Sequence, residues 1–97
     1  MDLYSEFFKI IAAFKKGKIK YAVVGGIAMA FHAIPRFTRV MDFLAFPEDI
    51  GNIRKVMNGL GYTETADPWS FKKTKLTIHR FVKIKGKEHV LVDILTG

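Results

Sequence analysis

Two aspartates stand inside otherwise apolar stretches, and they are the residues best suited to chemistry. Asp42 lies in residues 40–46 and Asp93 in residues 90–95, and both stretches have the composition of strands covered on both faces. A buried carboxylate without a partner is costly, so such acids usually pair with a cation or bind a metal. For two acids on strands able to lie side by side, the pattern favours a shared metal ion.

A pair of glycines follows a short β-rich run. Residues 19–24 predict a strand, Gly25 and Gly26 interrupt it, and residues 27–33 predict a short helix that Pro35 stops. Glycines between a strand and a helix let the backbone approach a phosphate closely, and the free N–H groups at the helix start can bind it. The alternative is that this turn is purely structural.

The elements that must position these groups alternate along the chain. Residues 2–16 predict an amphipathic helix, and Gly17 is predicted to take the left-handed conformation that ends it. A second helix is predicted to begin at Pro47, with two acids in its first turn, and to end at Gly61. Residues 68–71 predict a turn or a short edge strand. The order of elements predicts an α/β domain with a mixed sheet flanked by helices.

The C-terminal third is basic. The chain carries a formal net charge of +7, and seven basic residues with no acid lie in residues 72–87. Residues 76–85 alternate and predict a strand whose inward apolar face contains Leu76, Ile78, Val82 and Ile84. The outer face is predicted to be basic, with Arg80 as the exception on the apolar side. Gly86 is predicted to form the hairpin turn. The cations favour an anionic partner such as nucleic acid, and the alternative is a solvated edge protected by lysines.

Composition limits the classes of protein. With 97 residues, 49% hydrophobic, the chain is predicted to form a single domain over residues 1–97. The absence of cysteine excludes disulfide scaffolds and thiolate chemistry, and a cytoplasmic location is predicted. The N-terminal helix has neither the pattern of a signal peptide nor that of a membrane span. His32 is predicted to have a packing or capping role, and His79 and His89 to lie on the surface. Trp69 and Phe71 are predicted to cover the core at a sheet edge, and the alternative is that they stack on a base.

The sequence resembles the core of the nucleotidyltransferase superfamily, and in particular its small AbiEii-like and minimal nucleotidyltransferase members. The resemblance is carried by residues 21–28 (YAVVGGIA), by His32, and by residues 35–44 (PRFTRVMDFL). These match a hydrophobic strand, a glycine pair, a short helix and an Arg-x-Thr-x-Asp-hydrophobic-Asp element. Residues 92–95 (VDIL) resemble the later strand that carries a third acid. The resemblance covers nearly the whole chain and implies a nucleotidyltransferase-like fold.

The resemblance also implies roles for individual residues. In active members, three carboxylates hold two magnesium ions, and a nucleoside monophosphate is transferred to a hydroxyl with release of pyrophosphate. Asp42 would be the second acid and Asp93 the third. The nucleotide-binding residues implied are Gly25, Gly26, Arg36 and Thr38.

The position of the first acid is occupied by Val40. Residues two apart in a strand point to the same face, so Val40 removes one of two paired carboxylates. Magnesium requires near-octahedral oxygen coordination, and we therefore expect its binding at Asp42 and Asp93 to be weak or lost.

Three functions remain open at this stage. The leading hypothesis is a domain that binds a nucleoside triphosphate such as ATP, with weak or absent transferase activity. Minimal nucleotidyltransferases are often paired with a small helical HEPN-type toxin, so a toxin–antitoxin role is included. The second is an active magnesium-dependent enzyme that modifies a protein or small-molecule hydroxyl. The third is a nucleic-acid-binding module that uses residues 72–87. So short a domain leaves apolar surface to cover, which favours a homodimer.

Overall fold

A computed structural model describes residues 2–24, 38–65, 69–70 and 75–97. Within these ranges one mixed sheet of six strands packs one face against two α-helices. The helices are α1 (Leu3–Lys16) and α2 (Ile50–Gly59), the latter preceded by a 3-10 turn at Pro47–Asp49. The strands are β1 (Tyr21–Val23), β2 (Thr38–Ala45), β3 (Thr63–Glu64), β4 (Trp69–Ser70), β5 (Thr77–Lys85) and β6 (Glu88–Thr96). The prediction of an α/β domain with a mixed sheet is confirmed, whereas the predicted helix at residues 27–33 lies outside the described residues.

The sheet has the strand order β1-β2-β6-β5-β3, and β4 also pairs with β5. Its central pair, β2 and β6, is parallel, and the other described pairs are antiparallel. Because β5 and β6 are joined by a tight turn at Gly86, where φ is +61°, the two form the predicted hairpin. The parallel pairing places Asp42 of β2 directly opposite Asp93 of β6.

Helix α1 begins and ends on recognisable signals. The Asp2 side chain accepts a hydrogen bond from the backbone N–H of Tyr4 at 3.2 Å, and two lysines lie in the last turn. The prediction that Gly17 would adopt the left-handed conformation is wrong, because its φ is −82° and Lys18 takes φ +57° instead. This conformation lets the N–H of Ile19 bond the carbonyl of Phe14, so that Ile19 enters the core. Among the described residues, no helix is long and apolar enough to cross a membrane.

Strand β5 presents the opposite face to that predicted. Phe81 is fully buried in the core with the helices, and Lys83 donates a hydrogen bond to Glu6 of α1 at 2.9 Å. Ile84, predicted to point inward, is 61% exposed, whereas Ile78 on the same side of β5 is buried. Phe81 and the ion-paired Lys83 fill the helix side of the sheet, so the alternate residues of β5, including Arg80, turn to the other side. We call that side, which faces away from α1 and α2, the second face.

Candidate functional site

The two aspartates singled out in the sequence lie side by side on the second face. Their neighbours in β2 and β6, Met41, Phe43, Val92 and Ile94, are all fully buried in the core beneath the helices. Because side chains alternate along a strand, Asp42 and Asp93 point away from that core. They are register partners on hydrogen-bonded strands, which run about 4.8 Å apart. Two carboxylates are thus brought into direct proximity, as a shared site would require.

A third charged residue completes this row. Arg80 of β5 is the register partner of Asp93 on its other side. Its Nε donates to Oδ1 of Asp93 at 2.7 Å and its Nη2 donates to Oδ2 at 2.9 Å, a bidentate ion pair. These hydrogen bonds raise the pKa of Arg80, so the guanidinium stays charged. We call Asp42, Asp93 and Arg80 the charged row.

Asp42 is the member of the charged row that carries unbalanced charge. It is half-buried, and in the described part of the chain its carboxylate accepts no hydrogen bond and pairs with no cation. Burial, followed by the charge of Asp93, raises the pKa of Asp42, and the more distant Arg80 opposes this only in part. A strand that keeps a destabilising carboxylate is typical of a functional site.

Replacing Asp42 by asparagine is therefore expected to stabilise the fold, by about 0.5–1 kcal/mol at pH 7. The pKa of Asp42 is raised on folding, so the protonated acid is favoured in the fold and the ionised acid destabilises it. The gain should shrink as the pH falls through this raised pKa. Urea unfolding of both proteins across pH measures it, with the exposed Glu48→Gln as the control expected to change little. A loss of stability in Asp42→Asn would show that the carboxylate has a favourable partner.

The backbone leads from the charged row towards the predicted phosphate-binding turn. The N–H of Val24 donates to the carbonyl oxygen of Asp42 at 3.1 Å, so β1 ends beside this acid. Gly25 and Gly26 follow directly in the sequence, and they lie outside the described residues, as does Arg36. Thr38 begins β2, where it is the register partner of His89.

The residues present do not fit a pair of magnesium ions. Val40 shares the second face with Asp42 and supplies no oxygen, and both oxygens of Asp93 already accept hydrogen bonds from Arg80. Among the described residues, no group of three or more His, Asp or Glu side chains is placed to hold a metal ion.

Sequence reasoning found the two acids and missed the role of Arg80. The signal was present, because Arg80 was the one charged residue on the apolar parity of its strand. A long cation at such a position indicates a buried or half-buried acid on a neighbouring strand. Without the register of β5 on β6, that acid could not be identified.

His79 was predicted to lie on the surface, and this prediction is wrong. It is 8% exposed and points to the helix side of the sheet, where its Nε2 lies 3.2 Å from the hydroxyl of Thr96. Burial, followed by the charge of Arg54, lowers the pKa of His79, so the ring is neutral near pH 7. His79 is separated from the charged row by the sheet and has no part in it.

The described basic residues of the C-terminal third do not form one stripe, and Lys72 and Lys73 lie outside the described residues. Arg80 is bound to Asp93 on the second face, and Lys83 is bound to Glu6 on the helix face. Three other lysines are exposed: Lys75, Lys85 and Lys87. The described cations are therefore divided between two sides of the sheet.

An apolar pocket of about 450 Å³ lies beyond the end of β2. Its lining includes Tyr21, Leu44, Phe46 and Leu76, and Lys20 supplies a positive charge. Leu44 follows Asp42 on the same face of β2, so the pocket extends the second face away from the charged row. The described lining residues include no Asp, Glu, His, Ser or Thr side chain.

Comparison with known proteins identifies no relative of this chain. Neither a protein-family model, nor a curated protein, nor a solved structure matches the chain. The charged row and the sequence motif around it are therefore the features that bear on function.

Proposed function

We propose that this chain is a nucleotidyltransferase-like domain that binds a nucleoside triphosphate beside the charged row and has weak or no transferase activity. The observation that supports this best is the adjacency of Asp42 and Asp93 on one face of two parallel strands. The resemblance implies the same two acids, at positions distant in the sequence, as parts of one site.

The end of β1 gives further support. Val24 is hydrogen-bonded to the backbone of Asp42, and the glycine pair implied to contact phosphate comes next in the chain. A phosphate bound by Gly25 and Gly26 would then lie close to the acids. Arg36 and Thr38 would flank the nucleotide, as the resemblance implies.

Weak or absent transfer follows from what the site lacks. A two-metal mechanism stabilises both the entering and the leaving oxygen of the transferred phosphoryl group. Val40 leaves that arrangement without its first carboxylate, and Arg80 engages the third. The domain would then bind nucleotide as a signal or as part of a complex. The resemblance suggests a small helical HEPN-type protein as the partner, in an antitoxin-like role.

Binding of labelled ATP by equilibrium dialysis tests the first half of the proposal. We expect saturable binding that does not require magnesium and that Arg36→Gln weakens at least tenfold, because a phosphate loses a bidentate cation. Lys87→Gln removes the same charge from the exposed β5–β6 turn and should change binding less than twofold. No saturable binding of ATP or of any other ribonucleoside triphosphate would refute the proposal.

Transfer from ATP labelled at the α-phosphate tests the second half. With magnesium or manganese and a cell extract as acceptor, the natural protein should label no more acceptor than its Asp93→Asn variant. Val40→Asp is assayed in parallel. Labelling by this variant alone would show that the natural protein lacks transferase activity because it lacks this carboxylate. Labelling by the natural protein that Asp93→Asn abolishes would instead support the active enzyme.

A further inference from the structure

Arg80 already occupies both carboxylate oxygens of Asp93, the atoms to which a cation would bind. The Asp93 side chain is 9% exposed, and each of its oxygens accepts a short hydrogen bond from the guanidinium. A guanidinium has five N–H donors and no acceptor, so it satisfies a carboxylate but cannot coordinate a phosphate oxygen or a water as a metal does. A divalent ion would have to displace the guanidinium or compete with it for the remaining lone pairs of those oxygens.

The net charge of the charged row also differs from that of the three carboxylates that the resemblance implies. The resemblance implies three carboxylates, with a charge of −3, facing two magnesium ions. Asp42 and Asp93 contribute −2 and Arg80 contributes +1, so the charged row carries −1. The attraction for a divalent ion is thus reduced twice, once by Val40 and once by Arg80.

We propose that Arg80 replaces the divalent cation at Asp93 and makes the site metal-independent. The inference depends on the proposed function only in treating the charged row as part of the nucleotide site. Arg80 has a double role here. It neutralises a buried acid that would otherwise destabilise β5 and β6, and it prevents metal from binding there. Restoring the missing carboxylate at Val40 is then not sufficient to restore a metal site.

Two variants of equal charge separate two effects on metal binding: the occupation of the Asp93 oxygens by Arg80 and the net charge of the row. Val40→Asp and Arg80→Gln each bring the row to −2, but Arg80→Gln alone frees the oxygens of Asp93. Binding of Mn²⁺, followed by its electron paramagnetic resonance signal without any nucleotide, is the measurement. We expect the natural protein to bind Mn²⁺ with a Kd above about 1 mM. Arg80→Gln should bind at least tenfold more tightly than Val40→Asp, and the double variant more tightly still.

Two further variants serve as controls. Arg80→Gln/Asp93→Asn removes the freed carboxylate and should return Mn²⁺ binding to the level of the natural protein. Lys87→Gln lowers the net charge of the protein equally, away from the row, and should leave binding unchanged. Because a ligand that binds the fold stabilises it, Mn²⁺ should raise the melting temperature of Arg80→Gln and leave that of the natural protein unchanged.

Several results would overturn the inference. One is Mn²⁺ binding by the natural protein as tight as by Arg80→Gln, and another is equal binding by the two variants of equal charge. If Arg80→Gln does not fold, tight Mn²⁺ binding by the natural protein or by Val40→Asp still refutes it. The metal titration contains no nucleotide, so its failure is distinct from the failure to bind ATP that would refute the proposed function.

Discussion

Replacing Phe43 by alanine is expected to lower the free energy of unfolding by about 4 kcal/mol, as is typical when a buried aromatic side chain is removed. Phe43 is fully buried in β2. Its ring lies 5.9 Å from that of Phe7, 5.6 Å from that of Phe14 and 6.0 Å from that of Tyr21. Since domains of this kind have a total stability of about 5–15 kcal/mol, one substitution would remove a large part of it. Urea unfolding followed by circular dichroism measures the change.

Phe46→Ala is the matched control for Phe43→Ala. It removes the same side chain three residues later, where the ring is 52% exposed, and should cost less than about 1 kcal/mol. Equal losses in the two variants would contradict the packing of α1 on β2. The comparison also concerns the site, because Phe43 is the residue next to Asp42 and fixes the strand that carries it.

The central strands could be predicted from local pattern, but their pairing could not. The sequence identified strands around Asp42 and Asp93 because each acid interrupts an apolar run, and β2 and β6 confirm both. That the two strands are parallel neighbours depends on contacts between distant parts of the chain, which no local pattern encodes. The sequence alone therefore indicates only Asp42 and Asp93 as the candidate site. The register of β5 on β6 adds Arg80 to it.

The face of β5 was predicted wrongly for a physical reason. Alternation places Ile78, Val82 and Ile84 on one side, and hydrophobicity alone directs that side to the core. The fold instead buries Phe81, and Lys83 is accepted because Glu6 neutralises it from α1. A compensated cation behaves like a core residue, and its partner here lies at the other end of the sequence. The same reversal turns Arg80 towards Asp93.

Glu6 is the residue that neutralises Lys83. Glu6→Gln is expected to lower the free energy of unfolding by about 2–3 kcal/mol at pH 7. Glu6 is 4% exposed, and its Oε1 accepts hydrogen bonds from the Tyr62 hydroxyl and from Lys83 Nζ, both at 2.9 Å. The variant leaves the Lys83 ammonium without its counter-charge. Because that side chain is 25% exposed, water limits the loss. Glu64→Gln, which breaks a more exposed pair with Arg54, should cost less than about 1 kcal/mol.

The pH dependence of the unfolding free energy tests whether the ionised carboxylate of Glu6 causes this stabilisation. Burial alone would raise the pKa of Glu6, but the hydrogen bonds from Lys83 and Tyr62, together with the charge of Lys83, lower it below its ordinary value of 4.5. The stabilisation is therefore fully present above that value and is lost as the pH falls through the lowered pKa of the fold. The difference in unfolding free energy between the natural protein and Glu6→Gln should be largest near neutral pH and should narrow in acid. A difference that stays constant with pH would mean that the contact between α1 and β5 does not depend on this charge.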